Sequence, residues 1–180
     1  VSKLSEEVID TLGVELDPST KDMIKSFVDN LFKGNSKDLM GDLSKIMVGH
    51  HIPYVAQTLA MTNFKDLYEK AEKAIYTEGP AFLNVMAPCP RGWGYATEDL
   101  MKINKLAADT CYWPLYEVVD GKYHITYKPA KKLPVEEFLR PQKRFKHMFK
   151  PGNEWMIQEF QRVVDERWNE LLELEEITNK

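Results

Sequence analysis

Cys89 stands between Pro88 and Pro90, ahead of the segment Arg91-Gly92-Trp93-Gly94-Tyr95. A thiolate does two kinds of chemistry, metal ligation and nucleophilic attack. Each proline fixes its own φ and restricts its predecessor, so this thiol is expected on a rigid loop. Such a mount suits a ligand that meets a preformed cluster, or a nucleophile that needs fixed aim. The competing reading is a buried structural cysteine, which is common, and spacing alone favours it. No second cysteine lies nearby, so a metal at Cys89 needs thiolates from elsewhere.

The other chemically capable residues are weaker candidates. His50 and His51 are adjacent, so they cannot both face one metal from a regular element, and they read as polar residues at a helix C-terminus. His124 and His147 have no carboxylate, Ser or Cys partner at recognisable spacing, which leaves a hydrolytic triad unsupported. Arg91 suits either an anion contact or a surface salt bridge. Cys111 reads as core filler. The motifs G-x-x-x-x-G-K-[ST], G-x-G-x-x-G, H-E-x-x-H and C-x-x-C are all absent, so a self-contained nucleotide or metal enzyme has little support.

The elements that must position Cys89 follow from periodicity. Residues 1–35 read as two helices, one carrying Leu4, Val8, Ile9 and Leu12, the other opening at Asp17-Pro18 and carrying Met23, Ile24, Phe27, Val28 and Leu31. A short helix over Leu39, Leu43, Ile46 and Met47 precedes a strand-type run, Ile52-Pro53-Tyr54-Val55-Ala56. Asn63 caps a helix through Phe64, Leu67, Tyr68, Ala71 and Ile75. Gly79-Pro80 then leads into Ala81-Phe82-Leu83-Asn84-Val85-Met86-Ala87, expected as a strand covered on both faces. Strand, helix, strand makes a βαβ unit, whose ligands gather at the carboxyl ends of the strands. Cys89 lies at such an end.

Downstream, Thr97 is expected to cap a helix over Leu100 to Ala107. Asp120-Gly121 predicts a two-residue hairpin turn between Trp113–Val119 and Lys122–Tyr127. Pro134 opens a short helix, and the last helix runs from about Asn153 to Glu175. Its Trp155 and Trp168 suggest packing against another surface.

The 180 residues suit one domain, or one domain with an appendage, and 43% apolar with 29% charged residues describes a soluble globular chain. The net charge of −4 argues against a nucleic-acid partner. The run Lys143-Arg144-Phe145-Lys146-His147 reads as a solvated helix face. No apolar run of about 18 residues exists, so no membrane span is expected. Two cysteines without a secretory signal point to reduced thiols and a cytoplasmic setting. The first residue, Val, suggests a processed, trimmed or internal piece.

Ordered blocks of residues carry a resemblance. Lys37-Asp38-Leu39, Ile46-Met47 and His51-Ile52-Pro53-Tyr54-Val55-Ala56 resemble the last part of the thiamine-diphosphate-binding domain of 2-oxoacid:ferredoxin oxidoreductase β subunits (pyruvate synthase type). Gly79-Pro80-Ala81-Phe82 leads into Ala87-Pro88-Cys89-Pro90-Arg91-Gly92-Trp93, which is similar to the family's A-P-C-P-x-G-W signature. Trp113-Pro114-Leu115-Tyr116-Glu117, Lys122-Tyr123, Thr126-Tyr127-Lys128-Pro129, Pro134 to Leu139 and Gln142-Lys143-Arg144-Phe145 resemble its C-terminal extension. The blocks cover residues 36–148 in order.

The resemblance implies an α/β fold, the C-terminal part of a thiamine-diphosphate-binding-type parallel-sheet domain followed by a β-hairpin and a helical extension. It divides the chain into an unassigned helical segment (1–35), a βαβ part (36–112) and the extension (113–180). It places on Cys89 one ligand of a [4Fe–4S] cluster. Such clusters take four thiolates, and the family's C-x-x-C and further Cys are missing here. The G-D-G segment and downstream Asn that hold Mg²⁺ and thiamine diphosphate are missing too. The implied reaction is oxidative decarboxylation of a 2-oxoacid with coenzyme A, with electrons passed to ferredoxin. This chain would act with other subunits and not alone. It is a part of a longer subunit, a split subunit, or a relative without the chemistry. The alternative function is a non-catalytic interaction module that keeps the fold without cofactors.

Overall fold

The chain is seen in a computed structural model that describes residues 42–180. The expected helix pair over 1–35 and the block Lys37-Asp38-Leu39 lie outside those residues. The first described helix, α1 (Leu43–Gly49), is anchored when the Ser44 hydroxyl donates to Gln57 Oε1 at 3.1 Å and accepts from Asn84 Nδ2 at 3.1 Å. His51, at φ 57°, turns the chain out of the helix. His50 and His51 are both exposed at that C-terminus, where their types suggested they would be.

Proline at 53 cannot donate to a ladder, and strand β1 begins one residue later (Tyr54–Leu59), with all six residues buried. Helix α2 (Phe64–Tyr76) follows, capped by Asn63, whose side chain accepts from the Asp66 N–H. Strand β2 (Ala81–Met86) pairs parallel with β1 from Tyr54↔Ala81 to Leu59↔Met86. A one-turn helix, α3 (Pro90–Trp93), a 3-10 turn (Thr97–Asp99) and helix α4 (Leu100–Asp109) come next. Asp99, not Thr97, occupies the cap position of α4, and Thr97 lies in the 3-10 turn before it.

Strands β3 (Leu115–Val119) and β4 (Lys122–Tyr127) form the expected hairpin. Its turn has φ 49° at Asp120 and 81° at Gly121, as a type I′ turn requires. The hairpin joins the βαβ unit directly, since β3 pairs antiparallel with β1 and gives the sheet order β2-β1-β3-β4. The architecture is therefore α/β with an open mixed sheet and flanking helices. Helix α5 (Val135–Leu139), a 3-10 segment (Lys143–Phe149) and the long helix α6 (Glu154–Thr178) complete the chain. Among the described residues no helix is long and apolar enough to cross a membrane.

One face of the sheet carries the apolar core. Leu59 and Leu115 pack with Ile103, Phe138 and Val164, while Val55 and Val118 pack with Leu171. Trp168 touches both groups, so it is a core residue here, whereas Trp155 is exposed. Helix α6 also closes the β4 edge. The Ile125 N–H donates to Glu175 Oε1 at 2.7 Å, and the Tyr123 N–H donates to Thr178 Oγ1 at 3.0 Å. Strand N–H groups left open would invite pairing with another chain, and these two are satisfied by side chains.

The opposite face departs from expectation. Helix α2 lies over β1 and β2 but turns its polar side inward, burying Asp66 and Lys70. Of the five apolar residues that marked the helix in the sequence, Leu67 and Ala71 are half-buried, whereas Phe64, Tyr68 and Ile75 are 54%, 79% and 77% exposed. Strand β2 was expected to be covered on both faces, yet among the described residues it is an outer strand and leaves Ala81 and Val85 exposed.

Candidate metal-ligating loop

The loop after β2 is built by local hydrogen bonds. Pro88 is buried and Cys89 is exposed. Pro90 supplies the first residue of α3, where a missing N–H costs nothing. The Trp93 N–H donates to the Cys89 carbonyl at 2.9 Å, and the Gly92 N–H points at Cys89 Sγ at 3.4 Å. The N–H groups of Gly94 and Tyr95 both donate to the Pro90 carbonyl. Gly94 sits at φ 72°, and a Cβ there would fall 2.7 Å from Lys143 Cβ. Only glycine fits both demands. The Lys143 N–H donates back to the Gly94 carbonyl at 3.1 Å, so the loop is tied to the 3-10 segment near the end of the chain.

That segment corrects the reading of residues 143–147 as a solvated face. Lys143, Lys146 and His147 are exposed, but Arg144 turns inward and stacks 3.7 Å from the Trp93 ring centroid. Burial lowers the Arg144 pKa, and the Tyr95 hydroxyl pKa is raised by burial and then by the nearby Cys89 charge.

The two cysteines are opposite in character. Cys89 is exposed at the carboxyl end of β2, so the buried structural reading that spacing favoured does not describe it. Cys111 is buried at 3% exposure, and burial pushes its thiol up to about 11, which suits core filler. Arg91 is exposed and forms no ion pair among the described residues. His124 lies on β4 and His147 in the 3-10 segment, on separate elements from Cys89.

Among the described residues no group of three or more His, Cys, Asp or Glu could hold a metal ion. A [4Fe–4S] cluster therefore does not fit on these residues by themselves. They present one exposed thiol on a stiff turn.

Sequence reasoning missed a polar seam beneath α2. Lys70 Nζ donates to Asp66 Oδ2 at 2.8 Å, the Gln57 carbonyl at 2.8 Å and Thr126 Oγ1 at 2.9 Å, using all three ammonium protons. The Thr58 hydroxyl donates to Asp66 Oδ2 at 2.5 Å. Beside them, the Tyr54 hydroxyl and Lys73 Nζ both donate to Glu117. Burial lowers the Lys70 pKa, an effect that Asp66 opposes by hydrogen bond and charge. The spacing Asp66, Lys70, Lys73 marks one helix face, and polar Thr58 and Glu117 inside apolar strands were the available signal.

No family model matches the chain. It is 43% identical over 126 residues to the pyruvate synthase subunit PorB of Methanocaldococcus jannaschii, covering 70% of this chain and 41% of that protein. It is 42% identical over 141 residues to PorB of Thermotoga maritima, covering 78% and 43%. The ketoisovalerate oxidoreductase subunit VorB of Pyrococcus furiosus is 40% identical over 134 residues, covering 73% and 42%. The chain thus spans less than half the length of these curated relatives. Over 70–78% of its own length, it belongs to the family of 2-oxoacid oxidoreductase subunits represented by PorB and VorB.

Proposed function

We propose that this chain is a part, or one piece of a split, β subunit of a cytoplasmic 2-oxoacid:ferredoxin oxidoreductase, in which Cys89 supplies one thiolate to a [4Fe–4S] cluster. The observation that supports this is the exposed Cys89 on a proline-bounded turn, within a chain whose relatives are named subunits of pyruvate synthase and ketoisovalerate oxidoreductase. The remaining thiolates, and the residues that hold thiamine diphosphate and Mg²⁺, come from other segments or subunits. When bound, the thiamine supplies carbanion chemistry and the cluster single-electron transfer, in a coenzyme A-dependent oxidative decarboxylation with ferredoxin as acceptor. This chain's own share is narrower. It holds the Cys89 thiol on a turn stiffened by two prolines and the Gly92 N–H, and it carries the sheet that sets the turn's position.

The test uses Cys89→Ala in the native assembly, purified with its partner chains. Iron content and the cluster's EPR signal should fall. Unchanged iron would sink the ligand role. A second reading, an interaction module without cofactors, draws on the exposed Phe64, Tyr68 and Ile75 of α2. An assembly that never contains iron would favour it.

A further inference from the structure

Arg144 is used in an unusual way. Its guanidinium lies over two rings, 3.7 Å from the centroid of Trp93 and 4.5 Å from that of Phe145. Its Nε donates to Gln142 Oε1 at 2.8 Å, and Gln142, 1% exposed, is itself held by a bond from its Nε2 to the Phe138 carbonyl. No carboxylate pairs with Arg144 among the described residues. A guanidinium taken half out of water without a carboxylate is costly to keep. What it gains here is a cation–π contact with the indole of Trp93.

Trp93 is the last residue of the turn that Cys89 caps. The same segment also grips the turn's backbone through the Lys143 N–H and the Gly94 carbonyl. Trp93 meets Phe138 edge-on at 6.2 Å and Tyr95 at 6.5 Å, which ties the ring into the core. Two buried donors remain without an acceptor, Arg144 Nη2 and the Tyr95 hydroxyl. Tyr95 is 8% exposed. Buried donors without acceptors are rare in a finished site.

We propose that Arg144 is the positioning residue of the Cys89 turn, holding it through Trp93 in the orientation from which the thiolate meets a cluster brought by another segment. This rests on the ligand role of Cys89, and Arg144 itself touches neither metal nor substrate. The clamp and the ligand role are separable by experiment.

Hydrogen exchange on the full 180-residue chain reads the clamp without any cluster. Arg144→Met should speed exchange at the Gly92 to Tyr95 amides by about tenfold and leave the β1 amides unchanged. Arg144→Lys, which keeps the charge but not the planar guanidinium, should recover part of the protection. In the native assembly, Arg144→Met should retain iron but alter the EPR line shape of the cluster lost in Cys89→Ala, and Arg144→Lys should move it back toward wild type. Unchanged exchange in Arg144→Met overturns the clamp. Faster exchange with an unaltered spectrum overturns its positioning role. Full iron in Cys89→Ala removes the ligand role, and the positioning proposal falls with it, whatever the exchange shows.

Discussion

Lys70 Nζ and Asp66 Oδ2 meet at 2.8 Å inside the interface between α2 and the sheet, with 1% and 7% of their side chains exposed. Removing one partner leaves a buried charge without its counterion, at a cost of about 3–5 kcal/mol. Lys70→Met should lower stability by that order in urea unfolding. The double variant Asp66→Leu/Lys70→Met should regain most of the loss, because apolar residues of similar size need no partner. A double variant as unstable as the single would show that the pair's worth lies in Thr58 and Gln57 instead.

Glu175 links α6 to the β4 edge and to Lys128. Burial pushes its pKa up. The hydrogen bonds from Lys128 and the Ile125 N–H, with the charges of Lys128 and His124, outweigh that and hold it below the usual value near 4.5. A carboxylate with a lowered folded pKa adds stability above its unfolded pKa, and that contribution is lost as pH falls through the folded value. Denaturation midpoints measured from pH 6 downward should therefore decline, and Glu175→Gln should decline less over the acid range. Parallel curves for the two proteins would remove Glu175 from the account.

Gly94 and Gly92 sit two residues apart and should respond differently to alanine. At Gly94 the left-handed backbone alone costs about 1–2 kcal/mol, and the new methyl would meet Lys143 Cβ at 2.7 Å. Gly94→Ala should lower the melting temperature and loosen the Cys89 turn. At Gly92 a Cβ would lie 3.5 Å from Cys89 Sγ, an ordinary contact. Gly92→Ala should fold almost as well as the parent in the same melt, and equal losses at both sites would contradict the geometry.

Local patterns were the legible part of this chain. Asp120-Gly121 announced its own turn because both positions tolerate positive φ, and Asn63 announced its helix through a cap. The Cys89 turn was visible as a residue block, and its exposure then showed that a thiol flanked by prolines need not be core. Three features were hidden because they depend on distant partners. The hairpin's attachment to β1 is a pairing across about 60 residues of sequence, which no local period reports. The inward turn of Arg144 within a basic run depends on where Trp93 lies. On α2, apolar Phe64, Tyr68 and Ile75 and polar Asp66, Lys70 and Lys73 both keep helical spacing, so periodicity found the helix but not its inner side.

That reversed helix has a thermodynamic consequence. A surface that covers Phe64, Tyr68 and Ile75 can bind only when α2 is folded onto the sheet, because unfolding scatters the three side chains. By mass action such a surface pulls the folding equilibrium with it. Any surface that covered these three side chains would therefore add its own concentration to the contacts within the chain in setting the stability of this unit.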